Sequence, residues 1–275
     1  MMDEIQGELY TVATLQRDLV TLGVREGSIL LLHSSFKSLG SWVCGGPSAV
    51  VLALEAALGE QGTLVMPTHS GDVGDPARWQ NPPVPKEWWD TIREQMPVYD
   101  PELTSLWYMG VIPDTFRRQQ GTLRSGHPQV SFAARGPEAK IITADHGLGF
   151  GLGERSPLAR IYELRGDVLL LGVGHGNNTS MHLAECRADY PGKEYYTSRA
   201  PMLVNGERQW VEFPELEYDS EDFEQLGADF ARETGLVKQG QVAGATALLM
   251  PQRELVDYAV RWLERHRNRQ GHLTV

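Results

Sequence analysis

Residues 168–189, VLLLGVGHGNNTSMHLAECRAD, constrain the fold more than any other stretch of the chain. Four apolar residues open the stretch, as in a buried strand, and glycines at 172, 174 and 176 then interrupt it before a helix begins. The Asn-Thr-Ser run at 178–180 favours a helix N-terminus, so the pattern predicts a helix over 181–188. Strand, glycine loop and helix therefore follow one another directly.

Two side chains of that predicted helix suggest chemistry. His182 and Glu185 are three residues apart, a spacing that places both on one face of a helix. A carboxylate in that position can support an imidazole that abstracts a proton. We interpret the pair as the centre of a candidate active site.

The first third of the chain predicts an α/β fold. The sequence indicates a helix over 14–22, a strand over 28–33, a helix over 48–58 and a strand over 63–67. Strand, helix and strand in this order predict a parallel or mixed sheet with helices on its faces. A chain of 275 residues can form one large domain without disulfide or metal, and we expect a single domain over 1–275.

Later segments give weaker patterns. We expect helices over 108–119, 219–230 and 253–266, a hairpin over 201–211 that turns at Asn205-Gly206, and a frayed tail over 270–275.

Composition excludes several classes of function. The formal charge of −11 argues against a nucleic-acid partner and favours a cationic small substrate. Cys44 and Cys186, the two cysteines, are too few for a disulfide framework and indicate a reducing cytoplasm. The acidic N-terminus does not read as a signal peptide, and no apolar run reaches membrane-spanning length, so we expect a cytoplasmic protein without a membrane partner.

Residues 68–113 are rich in proline, aromatic and acidic residues, and we expect little regular structure there. Carboxylates among aromatic rings suit the recognition of a polycation, although a solvated loop with its tryptophans packed on the core would give the same composition. The acidic residues of this segment are Asp72, Asp75, Glu87, Asp90, Glu94, Asp100 and Glu102.

Two polar turns have the donors that a phosphate group needs. One follows the strand over 28–33, and the other begins at residue 124. Hydroxyl groups, cations and backbone N–H groups bind phosphate oxygens, but they also form ordinary turns and caps. The residues in question are Ser34, Ser35, Lys37, Gly40, Arg124 and Ser125.

Seven blocks of sequence together resemble one protein family. They are LLLHSSFKSLG at 30–40, GGPSAVVLAL at 45–54, LVMPTHSGD at 64–72, DPARWQNPPVP at 75–85, RSGHPQVSFAARG at 124–136, LGERSPL at 152–158 and LLLGVGHGNNTSMHLAE at 169–185. They cover most of residues 28–190 and resemble the acetyl-CoA-dependent aminoglycoside 3-N-acetyltransferases. The combination is far more specific than a lone glycine-rich motif.

The resemblance implies a fold and a reaction. The fold would be the three-layer α/β/α arrangement of the antibiotic acetyltransferases, with a central mixed sheet. The reaction would move an acetyl group from acetyl-CoA to the 3-amino group of an aminoglycoside antibiotic, which confers resistance. The co-substrate is acetyl-CoA and the partner is the aminoglycoside.

The resemblance also assigns roles. His182 matches the family's catalytic histidine and would act as the general base. Glu185 would fix its tautomer or stabilise the imidazolium, and Thr179 would donate to the oxyanion. The six residues of the two polar turns become candidates for binding acetyl-CoA. Candidates for binding the aminoglycoside are Asp72, Trp79, Asn81, Glu102 and His175.

Three alternatives stay open. His175, His182 and Glu185 could ligate a metal, but their spacing lacks a recognised zinc signature and acetyl transfer to an amine needs no metal. The same transfer could serve another small amine in biosynthesis. A protein of another class could sequester the antibiotic without turnover, and thiol release on mixing with acetyl-CoA and an amine would separate the two.

Overall fold

A seven-stranded mixed sheet lies at the centre of the computed structural model, which describes residues 7–40 and 42–267. The strands are β1 (Leu9–Tyr10), β2 (Ile29–Ser34), β3 (Trp42–Val43), β4 (Thr63–Pro67), β5 (Leu123–Arg124), β6 (Phe132–Arg135), β7 (Asp167–Leu171), β8 (Tyr195–Val204), β9 (Glu207–Leu216), β10 (Lys238–Val242) and β11 (Ala245–Pro251). The α-helices are α1 (Val12–Leu22), α2 (Pro47–Leu58), α3 (Trp89–Gln95), α4 (Val111–Arg117), α5 (Ala139–Thr143), α6 (Pro157–Glu163), α7 (Ser180–Arg187), α8 (Phe223–Thr234) and α9 (Gln252–His266).

The order of strands in the main sheet is β10-β11-β7-β2-β4-β6-β5. Strand β2 lies between β7 and β4 and runs parallel to both. The flanking pairs are antiparallel, both β7 with β11 and β4 with β6. The predicted mixed sheet is therefore confirmed, and its parallel centre consists of three strands.

Helices cover both faces of this sheet. Leu30 and Leu32 of β2 belong to a buried cluster with residues of α1, α2 and α4. Leu31, between them, points to the other face and belongs to a second cluster with residues of α5 to α9. Alternating side chains of one strand, buried over its four central residues, thus pack into two cores, and the predicted three-layer α/β/α arrangement is confirmed.

Local sequence signals explain the early elements. Helix α1 begins with a capping box, in which the Thr11 and Thr14 side chains each accept from the other residue's backbone N–H group, and it ends at Gly23, whose φ is 111°. Helix α2 has Pro47 in its first turn. The predicted strand at 28–33 and the one at 63–67 match β2 and β4 to within one residue.

The structure corrects three other predictions. The helix expected over 108–119 is shorter, because Tyr108 and Gly110 have positive φ values and α4 begins only at Val111. The helix expected over 219–230 begins at Phe223, after a loop that holds a buried arginine described below. Segment 68–113 contains α3 and two short 3-10 turns, so it is more regular than expected.

A long hairpin of β8 and β9 forms a separate two-stranded sheet. Its turn has positive φ at Asn205 and Gly206, as a type I′ turn requires, so the predicted hairpin is confirmed and is longer than expected. The helix predicted over 253–266 matches α9. The tail expected over 270–275 lies outside the described residues.

Within residues 7–40 and 42–267, none of the helices combines the length and apolar character that crossing a membrane requires.

Candidate active site

The carboxyl ends of the three parallel strands meet at one edge of the sheet. His33 and Ser34 end β2, His69 follows β4 by two residues, and the glycine loop follows β7. Since parallel neighbours end on the same side, polar groups from three distant segments of the chain come together there.

The turn after β2 and the loop after β7 are bonded to each other. The Ser35 N–H group donates to the Leu171 carbonyl at 3.0 Å, and Ser38 Oγ donates to the Gly172 carbonyl at 2.9 Å. Gly172 has a φ of 68°, and a Cβ atom there would lie 2.4 Å from Ser38 Cβ. Only glycine allows this close approach.

The predicted pair on α7 forms a hydrogen bond. His182 Nδ1–H donates to Glu185 Oε2 at 2.5 Å. The Glu185 side chain is 0% exposed, whereas that of His182 is 16% exposed. The imidazole is flanked by the rings of Tyr218 and Phe223, each with its centroid 4.9 Å away. Nδ1 is engaged by the carboxylate, which leaves Nε2 as the nitrogen that can receive a proton.

The other carboxylate oxygen of Glu185 is also held. Oε1 accepts from Arg267 Nη1 at 2.6 Å and from the Asp219 N–H group at 3.2 Å. A fully buried carboxylate needs such partners to remain charged. The His182–Glu185 pair, called the dyad below, is therefore stabilised by Arg267, a cation from the far end of the chain.

Four other histidines are too buried to be effective bases. Burial, together with a smaller effect of neighbouring histidines, lowers the pKa of His33 and that of His69 to about 3. Burial also lowers the pKa of His146 to about 3 and that of His127 to about 4. A base this weak removes a proton from an amine poorly at neutral pH, so His182 is the histidine best placed for that task.

Thr179 lies one helical turn before His182, but its side chain does not cap α7. It has helical backbone angles and makes no side-chain cap bond. Its buried Oγ1 instead lies 3.3 Å from His33 Nε2, while Asn178 Oδ1 accepts from the Ser180 N–H group. Thr179 is thus held near the dyad by a histidine that the sequence analysis did not single out.

A cleft of about 790 Å³ opens next to His69. Its walls come mainly from segment 68–113, with further residues from the hairpin strands. Asp72, Trp79 and Asn81 line it, and their binding of the substrate stays a prediction.

Two predicted substrate-binding residues lie elsewhere. Glu102 is exposed, and its N–H group donates to Asp100 in a turn. His175 is buried against α8, where its ring approaches Gly227 so closely that a Cβ there would lie 2.2 Å from the ring. Neither Glu102 nor His175 therefore lines this cleft.

Arginines neutralise much of the acidic character expected for the cleft. Asp75 pairs with Arg93 at 2.8 Å, and Glu217 pairs with Arg78 at 2.5 Å. By contrast, Asp72 Oδ1 is buried without a hydrogen-bond partner among the described residues, and burial raises the pKa of this carboxyl group. Of the three acidic residues that line the cleft, Asp72 is thus the one whose carboxylate forms no salt bridge with an arginine in the described residues.

The two polar turns have different outcomes. Arg124 donates to the carbonyls of Thr68 at 2.7 Å and Thr104 at 2.6 Å, and buried Ser125 donates to His146 Nδ1 at 2.8 Å. Both residues form hydrogen bonds within the protein itself, and their role with acetyl-CoA stays a prediction. The other turn keeps free groups. Ser34, Ser35, Lys37 and Gly40 lie together at the sheet edge, with Lys37 and Gly40 exposed.

The sequence analysis missed Arg267, His33 and the two rings that flank the dyad. His33 precedes the predicted Ser34, so the HSS pattern could have identified it. Arg267 is 82 residues from Glu185, and no local pattern connects the two.

In the described part of the chain, no three His, Cys, Asp or Glu side chains are arranged to hold a metal ion.

Comparisons with known proteins agree with this architecture. Residues 31–264 match the family described as aminoglycoside 3-N-acetyltransferase. The chain is 43% identical over 253 residues to the SPbeta prophage-derived aminoglycoside N(3′)-acetyltransferase-like protein YokD of Bacillus subtilis, covering 92% of each. It is 38% identical over 272 residues to aminoglycoside N(3)-acetyltransferase VII of Streptomyces paromomycinus, covering 92% of this chain and 91% of that protein.

Two of the solved structures that resemble this chain illustrate the ligands. AAC-IIIb in binary complex with CoASH is 31% identical, with a TM-score of 0.83 over 94% of this chain and 97% of that one. AAC-VIa bound to sisomicin is 29% identical, with a TM-score of 0.84 over 94% of this chain and 99% of that one. On the extent of these matches, the chain belongs to the aminoglycoside 3-N-acetyltransferase family of enzymes.

Proposed function

We propose that this protein transfers the acetyl group of acetyl-CoA to the 3-amino group of aminoglycoside antibiotics, with His182 as the general base. The observation that carries the proposal is the hydrogen bond between His182 Nδ1 and a fully buried Glu185 carboxylate. Family membership and the ligands of the two solved relatives support the same reaction. We place this activity in one domain and in the cytoplasm, where Cys44 and Cys186, both free thiols, stay reduced.

The proton has a defined route in this mechanism. An ammonium group has no lone pair, so the acceptor first releases one proton to solvent, and the neutral amine that results loses a second proton as its nitrogen bonds to the acetyl carbon. Nε2 of His182 accepts that proton, and the Glu185 carboxylate stabilises the imidazolium that results. The bond from the acetyl carbon to sulfur breaks, and the imidazolium returns the proton to the departing thiolate.

Acetyl-CoA, when bound, supplies the acetyl group as a thioester. The turn after β2 fits a ligand with phosphate and amide groups, because Ser34 Oγ is buried without a partner in the described residues and Lys37 is exposed nearby. Ser34, Ser35, Lys37 and Gly40 would bind it through hydroxyl, ammonium and backbone N–H groups.

Thr179 would stabilise the carbonyl oxygen that becomes negative as the amine attacks. His33 Nε2–H can donate to Thr179 Oγ1, which leaves the hydroxyl hydrogen free for that oxygen. Hydroxyl orientation is set by this contact, so the role depends on both residues.

Asp72 would bind an ammonium group of the acceptor. Asp72 lines the cleft together with Trp79 and Asn81, and its Oδ1 is buried without a partner in the described residues. A charge-assisted hydrogen bond there would satisfy the buried oxygen.

A second candidate is acetyl transfer to another small amine. It is favoured by the charge balance of the cleft, since Arg78 and Arg199 line it together with Asp72, Asp75 and Glu217. A strongly polycationic acceptor would meet two guanidinium groups as well as carboxylates. The acceptor must therefore be tested broadly.

The decisive experiment measures thiol release from acetyl-CoA with a panel of aminoglycosides and simple amines, and determines the acetylated position by NMR. The proposal predicts turnover with aminoglycosides at the 3-amino group. Turnover with simple amines alone would select the second candidate. Antibiotic binding without thiol release would indicate sequestration.

The role of the base has its own test. We expect His182→Ala, if folded, to lower kcat about a hundredfold or more while acetyl-CoA still binds. If His182→Ala kept the wild-type kcat and His175→Ala instead lost about a hundredfold, the general base would be His175.

A further inference from the structure

A buried guanidinium group stands behind the catalytic pair. Arg267 follows the C-terminal end of α9, and its side chain is 7% exposed. Its Nη1 donates to Glu185 Oε1 at 2.6 Å and to the Tyr190 hydroxyl at 2.9 Å. The contact reaches the carboxylate oxygen that His182 does not use.

The remaining donors of Arg267 bind the loop between β9 and α8. Nε and Nη2 form a bidentate pair with the Asp222 carboxylate at 2.9 and 2.7 Å, and Nη2 also donates to the Asp219 carbonyl at 2.7 Å. A guanidinium has five N–H donors, and these contacts engage each of them. The group is therefore fixed in position and orientation.

This arrangement keeps a charge on Arg267. Burial lowers the pKa of Arg267, but hydrogen bonds to Asp222 and Glu185 outweigh that effect, so the pKa is raised above its ordinary value. A carboxylate as buried as Glu185 needs a counter-charge while His182 is neutral. Arg267 provides it throughout the reaction cycle.

The same loop carries the aromatic walls of the site. Tyr218 and Phe223, whose rings flank His182, lie on either side of the bonded segment 219–222. One guanidinium group thus holds both the carboxylate behind the imidazole and the loop that confines it.

We propose that Arg267 is a positioning residue for catalysis: it holds the Glu185 carboxylate directed at His182 Nδ1, and thereby keeps the neutral imidazole in the tautomer with its proton on Nδ1 and its lone pair on Nε2, ready to accept the proton of the acceptor amine. This inference rests on the proposed function of the His182–Glu185 pair. A simple anchor for α9 would instead affect the folded fraction and leave the chemistry of the pair unchanged.

A double-mutant cycle separates these two roles. We expect Arg267→Met to lower kcat about thirtyfold with the KM values for acetyl-CoA and amine within about twofold. In the Glu185→Gln background, which itself loses less activity than His182→Ala, the same substitution should change kcat less than about threefold. The matched control is Arg187→Met. Arg187 lies on α7, the helix that also carries His182 and Glu185, and forms a bidentate pair with Glu154 at 2.6 and 3.0 Å on the protein surface. This variant should therefore keep kcat within about twofold.

A second measurement is independent of turnover. In ¹⁵N-histidine NMR spectra, with the His182 signals assigned by their loss in His182→Ala, the wild-type protein should have its proton on Nδ1. Arg267→Met should shift the population toward the tautomer protonated on Nε2. If wild-type protein released no thiol with any amine, the proposed function would fail, while this spectrum would still test the inference.

Three results would overturn the inference. They are a wild-type kcat and spectrum for folded Arg267→Met, an equal loss of kcat in Arg187→Met, and additive losses in the double mutant. Should Arg267→Met fail to fold, Arg267→Gln replaces it, because glutamine keeps hydrogen-bond donors but removes the charge. A wild-type kcat and tautomer in Arg267→Gln would likewise refute the role of the charge.

Discussion

Four buried histidines predict that the fold loses stability in mild acid. Burial lowers the pKa of His33, His69 and His146 to about 3 and that of His127 to about 4, whereas an unfolded histidine titrates near its ordinary value of about 6.5. Because the folded pKa is depressed, the unfolded state takes up each proton first as the pH falls. Stability present above about pH 6.5 is therefore lost progressively down to about pH 4.

The size of the loss follows from proton linkage. Each histidine that is protonated in the unfolded state alone lowers the free energy of unfolding by about 1.4 kcal/mol per pH unit, or about 2 kcal/mol between pH 7 and pH 5. Four such groups amount to about 8 kcal/mol, which is comparable with the whole stability of a typical domain. Burial raises the pKa of Glu215, so proton uptake there stabilises the folded state and offsets part of this loss. We expect a net fall of at least about 4 kcal/mol.

Urea unfolding at several pH values between about 7 and about 5 measures this slope, with tryptophan fluorescence and far-UV circular dichroism as two probes of one transition. His127→Gln should reduce the dependence of the unfolding free energy on pH by about 1.4 kcal/mol per pH unit, which is the contribution of one proton. A slope for the wild-type protein of less than about 1.4 kcal/mol per pH unit, which corresponds to one proton, would show that the buried histidines do not govern acid stability.

Three further predictions concern the cleft, the core and the metal question. Asp72→Asn should raise KM for aminoglycosides about tenfold and leave KM for acetyl-CoA unchanged in steady-state kinetics, because the amide loses the charge that meets an ammonium group; equal KM values for wild type and variant would assign Asp72 to the turn. Gly227→Ala should lower the free energy of unfolding by about 2 kcal/mol or more, since the new methyl would lie 2.2 Å from the His175 ring, and an unchanged thermal midpoint would contradict this packing. Excess chelator should leave thiol release unaffected, whereas a loss that zinc restores would indicate a metal site.

The parts of this structure that the sequence predicts depend on near neighbours in the chain. A three-residue spacing on a helix was enough to bring His182 and Glu185 together, and alternating strand and helix patterns were enough for the parallel centre of the sheet. Both follow from backbone geometry alone. They therefore survive folding largely unchanged.

The parts that the sequence did not predict depend on distant partners. The counter-charge of Glu185 comes from Arg267, and the acidic Asp75 of the cleft is neutralised by Arg93. Arg124 has the charge of an anion-binding residue, but its guanidinium group donates to the backbone carbonyls of two distant residues. Residue type gives the chemistry a side chain can perform, but only tertiary contacts decide whether its donors are still free.

The segment between β4 and α4 supplies most of the cleft wall but adds no strand to the central sheet in its described residues. The dyad, its arginine and the turn after β2 are carried by other segments. Insertions and substitutions in the wall can therefore accumulate during evolution while the proposed catalytic residues stay intact. Divergence in antibiotic range among relatives would be expected to concentrate in this one segment, and exchanging it between two family members should transfer acceptor preference without rebuilding the chemistry.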